Sequence, residues 1–170
     1  LAKYGTFVEG SIQDADTINH IVKTFHPVGA ILFAGYIAVG ESTQAPRKYY
    51  RNNMFNSMEF VNHWMDLHAD GPIVFSSSAA VYGVQNSQTI SESATLDPLS
   101  PYAETKMFLE KLLGWYGSAY GLKSACLRYF NAAGADPDCE LGECHQPETH
   151  LIPLALQAAA NGTTLRVFGN

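Results

Sequence analysis

The 170 residues are 46% hydrophobic and 15% charged, a balance that supports one packed domain and excludes a disordered chain. Ten Lys and Arg against sixteen Asp and Glu give a net charge of −6, which disfavours general nucleic-acid binding because phosphate affinity comes from clustered cations. No apolar run reaches the ~18–20 residues of a membrane helix, and three cysteines, an odd number, fit a reducing cytoplasm better than a disulfide scaffold.

The start, Leu1-Ala2-Lys3-Tyr4-Gly5, is not a signal peptide and lacks Met, so the chain reads as an internal piece of a longer protein. Thr6 to Glu9 is the first expected strand. Asp14 or Asp16 caps a helix carrying Ile18, Ile21, Val22 and Phe25, ended by Pro27. The apolar run from Ala30 to Ala34 is a strand expected to be covered on both faces. A loop over 35–45 leads to a helix from Pro46 to about Ala69, with Tyr50, Met54, Met58, Val61 and Met65 along one side. Pro72 to Ser76 is the next strand, 83–100 a loop, and Pro101 to about Tyr120 a second long helix. Lys123 to Phe130 is a strand, 131–149 a polar loop, His150 to Asn161 a helix closed by Gly162, and Leu165 to Phe168 a last strand. Alternating strands and helices of this kind predict an α/β fold: a parallel sheet with helices on both faces. Right-handed crossovers then gather Gly35, Ser76 to Ser78 and Asn131 at the edge formed by the strand C-termini, where ligands bind.

Chemistry concentrates in Ser100-Pro101-Tyr102-Ala103-Glu104-Thr105-Lys106. Ser100 suits an N-cap and Pro101 the first helical position. Tyr102 and Lys106 are four apart and share a face. A nearby ammonium and the positive helix N-terminus both favour the phenolate, so the pair suits moving a proton off a hydroxyl near neutral pH. Ser78 offers a hydroxyl donor for an oxygen beside them.

With the surrounding motifs, the chain resembles the extended short-chain dehydrogenase/reductases, and within them the UDP-glucose 4-epimerases. The resemblance is carried, in order, by Phe33-Ala34-Gly35 with Val39-Gly40-Glu41-Ser42; Tyr49-Tyr50-Arg51-Asn52-Asn53; Ser76-Ser77-Ser78 with Val81-Tyr82-Gly83; Ser100-Pro101-Tyr102 with Lys106; Leu127 to Ala135; and Val167-Phe168-Gly169-Asn170. It implies a Rossmann-like doubly wound sheet that lacks its first βαβ unit and most of the C-terminal substrate domain. Residues 1–135 would be a partial NAD-binding domain and 136–170 the start of the substrate-binding region.

The implied cofactor is NAD and the implied substrate a UDP-sugar, epimerised by transient oxidation at C4, rotation of the 4-keto sugar and hydride return. Tyr102 would take the 4-hydroxyl proton. Lys106 would hold down the Tyr102 pKa and bind the nicotinamide ribose, and Ser78 would bind the 4-oxygen. Ser11 and Ile12 match an adenine contact, with Ser11 where Asp is usual. Phe33, Ala34, Gly35 and Tyr36 match the stretch along the dinucleotide, with Ile37 where Lys is common. Asn52, Ser76, Tyr129 and Phe130 match further cofactor contacts. Asn131, His150, Leu151, Arg166 and Phe168 match substrate contacts, with His150 where Asn is common.

The Rossmann fingerprint and its acidic ribose partner are absent, so weak NAD binding and little turnover are expected of the 170 residues alone. The alternatives are the same chemistry on UDP-arabinose/xylose or a UDP-N-acetylhexosamine, and a non-catalytic sugar-nucleotide-binding piece. Cys139, Cys144, His145 and His150 have tolerable zinc spacing, but no metal is expected, because the resembling family binds none there. The two long helices match those that pair in dimeric relatives, which implies a homodimer.

Overall fold

The structure is a computed structural model that describes residues 3–67, 71–85, 87–138, 140–142, 145–146 and 148–167. The chain forms two compact units, Leu1–Phe130 and Asn131–Asn170.

In the first unit, Asp14 accepts from the N–H groups of Asp16 and Thr17 and starts helix α1, Ala15–Phe25. The helix stops one residue before Pro27, at His26, which adopts the left-handed conformation with φ 46°. Strand β1, Ala30–Leu32, follows. The next stretch, expected to be a loop, contains the short helix α2, Val39–Gln44.

The helix expected over 46–69 consists of α3, Pro46–Tyr49, a π-helical stretch, Tyr50–Asn56, and α4, Ser57–Asp66. Its buried residues are Tyr49, Asn53, Ser57, Phe60, Val61 and Trp64; of the side read from the sequence, Val61 is buried and Met58 and Met65 pack against the core.

Strand β2, Ile73–Ser78, runs into a single 3₁₀ turn, Ala79–Tyr82. Gly83 then reverses the chain at φ 65°, and a Cβ there would lie 2.1 Å from the Asp97 carbonyl, so only glycine fits. Helix α5, Pro101–Tyr120, starts on the Ser100 cap and ends on Gly121, and strand β3, Ser124–Tyr129, follows.

The sheet is parallel, in the order β1-β2-β3, with Ile73 beside both Ala30 and Ser124. The order never reverses among the described strands, so right-handed crossovers place the helices between β1 and β2 and between β2 and β3 on the same face. That face carries Leu32, Ile73 and Phe75 against Ile18 of α1, Phe60, Val61 and Trp64 of α4, and Leu109, Leu112 and Leu113 of α5. The opposite face carries Ile31, 63% exposed, with Leu127 and Tyr129 also exposed. The expected cover on both faces is therefore met on one. The strand expected at Thr6 to Glu9 is absent: those residues join no described strand, and a strand exists only through its partner's hydrogen bonds.

In the second unit, helix α6, Leu151–Asn161, runs from His150 to a left-handed Gly162 and buries none of its side chains. Described residues 163–167 form no strand, and Phe168 lies outside the described residues.

Candidate active site

The parallel strands end together, and the site is built where β2 ends. Ser100 accepts from the Ala103 N–H at 3.2 Å, which fixes the first turn of α5 and with it Tyr102. Tyr102 is 8% exposed and Lys106 4%. The Lys106 Nζ donates to the Ser76 carbonyl at 2.7 Å and lies 4.9 Å from the Phe75 ring centre and 5.7 Å from that of Tyr102. Burial pulls Lys106 down from 10.5 to about 8. A cation that holds its proton this loosely, one helical turn from a phenol, suits proton movement near neutral pH. Ser78, the last residue of β2, accepts from the Ala80 N–H at 3.2 Å, which caps the 3₁₀ turn and leaves the hydroxyl proton to donate elsewhere. Lys106 thus joins Tyr102 to the Ser76 carbonyl, two residues before Ser78 at the end of β2.

Phe33, Ala34, Gly35 and Tyr36 follow β1, and the Tyr36 backbone is fastened by Asn53, the last residue of the Tyr49–Asn53 motif and one to which the sequence reading gives no role. Asn53, 2% exposed on the π stretch, accepts from the Tyr36 N–H at 2.8 Å and donates to the Tyr36 carbonyl at 2.8 Å. Asn52, the expected cofactor contact, donates to Asn53 at 3.0 Å. The signal that could have found Asn53 is its spacing from Tyr49, fully buried four residues earlier. Tyr49 donates to Glu41 at 2.7 Å, and its hydroxyl is pushed up to about 12 by burial and then by that carboxylate. Lys48 stacks 4.0 Å above the Tyr36 ring centre.

Ser11 is exposed before α1, whereas Ile12 packs against the core. Tyr129 and Phe130 end β3 with exposed rings. They also line a cavity of about 620 Å³ with Tyr82, Ile90, Glu92 and Arg128 along the open edge of β3. Tyr102, Lys106 and Ser78 do not line it. Asn131, His150, Leu151 and Arg166 belong to the second unit. There Glu148 accepts from the Thr149 and His150 N–H groups, each at 2.8 Å, and pairs with the His150 Nδ1 at 2.9 Å. These contacts hold the Glu148 carboxyl below its usual range. Among the described residues, donor atoms of His145, Glu148 and His150 lie within 4.8 Å of one another. Cys139 and Cys144 of the zinc alternative lie outside the described residues.

Residues 1–170 match the family described as the NAD dependent epimerase/dehydratase family. The chain belongs to that family. It is 45% identical over 154 residues to a UDP-glucose 4-epimerase of Halalkalibacterium halodurans, covering 91% of this chain and 46% of that relative. A crystal structure of UDP-glucose 4-epimerase from Brucella ovis in complex with NAD superimposes with a TM-score of 0.88 at 45% identity, covering 94% of this chain and 49% of that one. The enzyme of the same name from Stenotrophomonas maltophila, with bound NAD and formylated UDP-arabinopyranose, gives 0.84 at 33% identity, covering 92% of this chain and 47% of that one. The chain thus spans about half the length of the relatives it matches. The Rossmann-like α/β fold is common to them, and in this chain its parallel sheet holds three strands among the described residues.

Proposed function

We propose that this chain forms the catalytic middle of an NAD-dependent UDP-glucose 4-epimerase, which interconverts UDP-glucose and UDP-galactose. The observation that carries the reading is Lys106: a buried amine on the Ser76 carbonyl, its pKa lowered to about 8, one turn from a buried Tyr102. Tyr102 takes the proton from the sugar 4-hydroxyl and returns it. Lys106 keeps the phenolate accessible and donates to the cofactor ribose. Ser78 donates to the 4-oxygen. NAD, when bound, supplies the acceptor and donor of the hydride at C4. The residues present fit it in part: Phe33, Tyr36 and Phe130 offer exposed rings at the strand ends, and the Gly35–Tyr36 backbone is held open by Asn53. Ser11, Ile12, Asn52, Ser76 and Tyr129 complete the cofactor side in this reading. Asn131, His150, Leu151, Arg166 and Phe168 are the proposed substrate contacts.

The formylated UDP-arabinopyranose bound to the Stenotrophomonas relative favours a second reading, the same chemistry on a UDP-pentose. The protein is proposed to work in the cytoplasm as a homodimer. Exposed Phe108 and Trp115 on α5, with Phe55 on the π stretch, are the apolar groups that a second copy would cover.

The test is conversion of UDP-galactose to UDP-glucose with NAD added, for the epimerase that contains this chain and for its Tyr102→Phe variant. Turnover that disappears in the variant is the expected result. Equal turnover in both removes Tyr102 from the mechanism. Faster turnover of UDP-arabinose moves the substrate to the second reading. A chain that binds the sugar nucleotide without turnover is the non-catalytic piece.

A further inference from the structure

Below Lys106 on the same face of α5 lies Glu110, whose side chain is 8% exposed. A lysine and a glutamate four residues apart on a helix normally attract each other. Here the carboxylate is engaged elsewhere. The Arg128 Nη2 donates to Oε2 at 2.7 Å, and its Nε donates to Oε1 at 3.0 Å and to Oε2 at 3.2 Å. The Ser77 hydroxyl donates to Oε1 as well. The Arg128 Nη1 donates to the Tyr82 hydroxyl at 2.7 Å and to the Glu92 carbonyl at 2.9 Å. One carboxylate and one guanidinium therefore tie together α5, β2, β3, the 3₁₀ turn after Ser78 and the loop that precedes Tyr102. Ser77 stands between Ser76, which receives Lys106, and Ser78.

We infer that Glu110 and Arg128 are positioning residues. They lock the end of β2 onto α5, so that Ser76, Ser78, Tyr102 and Lys106 keep their register, and they turn the Glu110 charge away from Lys106. The inference rests on the reading of that centre as catalytic. The forked guanidinium matters, because it satisfies both carboxylate oxygens and still reaches Tyr82. The groups facing Lys106 are Tyr102 on its own helix and Phe75 with the Ser76 carbonyl on β2. Its lowered pKa has burial as its cause, as expected when Arg128 takes the carboxylate one turn away.

The test follows Lys106 by NMR titration of ε-13C-labelled lysine in this chain, with the resonance assigned by Lys106→Met, and measures turnover of the epimerase that contains this chain alongside. In Arg128→Gln the carboxylate loses its partner and becomes that of Lys106, whose titration rises by about one pH unit or more. Arg128→Lys keeps the charge without the fork and raises it less. Arg128→Gln with Glu110→Gln, neutral and similar in shape, returns it to the wild-type value. Lys106 titrating unchanged in Arg128→Gln overturns the inference. Should that variant not fold, Lys106 titrating unchanged in Arg128→Lys overturns it in the same way. If both single variants unfold while the double variant folds with a shifted Lys106, the pair is a folding determinant and the inference also fails. Turnover separates the two claims. A titration that moves as expected in a chain whose turnover survives Tyr102→Phe sinks the proposed function and leaves the positioning intact. Turnover and pH profile unchanged in Arg128→Gln sink the positioning and leave the function.

Discussion

The two faces of the sheet are built from the same alternating strands yet differ completely in their surroundings. One carries Leu32, Ile73 and Phe75 under α1, α4 and α5; the other carries Ile31, Leu127 and Tyr129 in the open. The difference comes from winding direction, not composition. Each right-handed crossover that steps the same way across the sheet deposits its helix on the same side. Covering the second side needs a reversal of strand order, and β1-β2-β3 has none. The chemistry straddles the two faces: Ser77 points into the helices and meets Glu110, while Ser76 and Ser78 alternate to the bare side.

The strongest way to break this comparison is to truncate one residue on each face. Phe75→Ala removes a ring that is 1% exposed and should cost about 3–5 kcal/mol in urea unfolding. Ile31→Ala should cost less than about 1 kcal/mol, because little of that side chain leaves water on folding. Similar losses at both positions would mean that the bare face is covered in solution.

Lys106 sharpens the same contrast, since it is the charge buried under the covered face. The fall from 10.5 to about 8 means that keeping it protonated in the folded chain costs on the order of 3 kcal/mol at neutral pH. Between those values the unfolded chain binds more protons than the folded one, so wild-type stability rises as pH rises through the window. Lys106→Met should therefore stabilise the chain by about 1–3 kcal/mol at pH 7, less what the orphaned Ser76 carbonyl gives back. The gain should shrink from pH 8 to 10.5. A gain that is flat with pH would show that the amine is hydrated, and the proton chemistry assigned to it would go too.

What could be read from sequence was what neighbours in sequence determine. Ser100, Pro101, Tyr102 and Lys106 lie within seven residues, and capping and i, i+4 spacing fix their geometry before any tertiary contact forms. The strands expected at Thr6 and Leu165 failed because alternation and β-branching describe a segment, whereas a strand needs a partner. The single helix expected over 46–69 holds a π stretch, Tyr50–Asn56, which side-chain periodicity does not announce. Arg128 and Glu110 are 18 residues apart and become partners only once β3 lies beside β2 under α5. No local pattern announces that. The family motifs, by contrast, pointed to the family through their order along the chain.

Asn53 tests the fastening of the loop after β1. Asn53→Ala takes the side-chain partner from the Tyr36 N–H and carbonyl in a part-buried setting, which should cost about 1 kcal/mol. Asn52→Ala should cost less, and amide exchange at Tyr36 should speed up only in the Asn53 variant. Equal acceleration in both would return the fastening role to Asn52.

The smallest effect separates the helix at the centre of the covered face from the one at its margin. Both are capped from a side chain: α5 by Ser100, which is buried, and α1 by Asp14, which is exposed. Ser100→Ala should cost about 1 kcal/mol, the usual worth of a cap, and the loss should not change with pH because a hydroxyl does not titrate there. Asp14 caps as a carboxylate, and its bonds from the Thr17 hydroxyl and N–H hold it below its ordinary 3.8. A group with a depressed folded pKa contributes its stability above the unfolded value and loses it as pH falls through the folded one. The gap between wild type and Asp14→Ala should therefore close below about pH 4, while the Ser100→Ala gap persists. If both gaps closed together, acid would be loosening the whole helical layer, and the distinction between its centre and its margin would vanish.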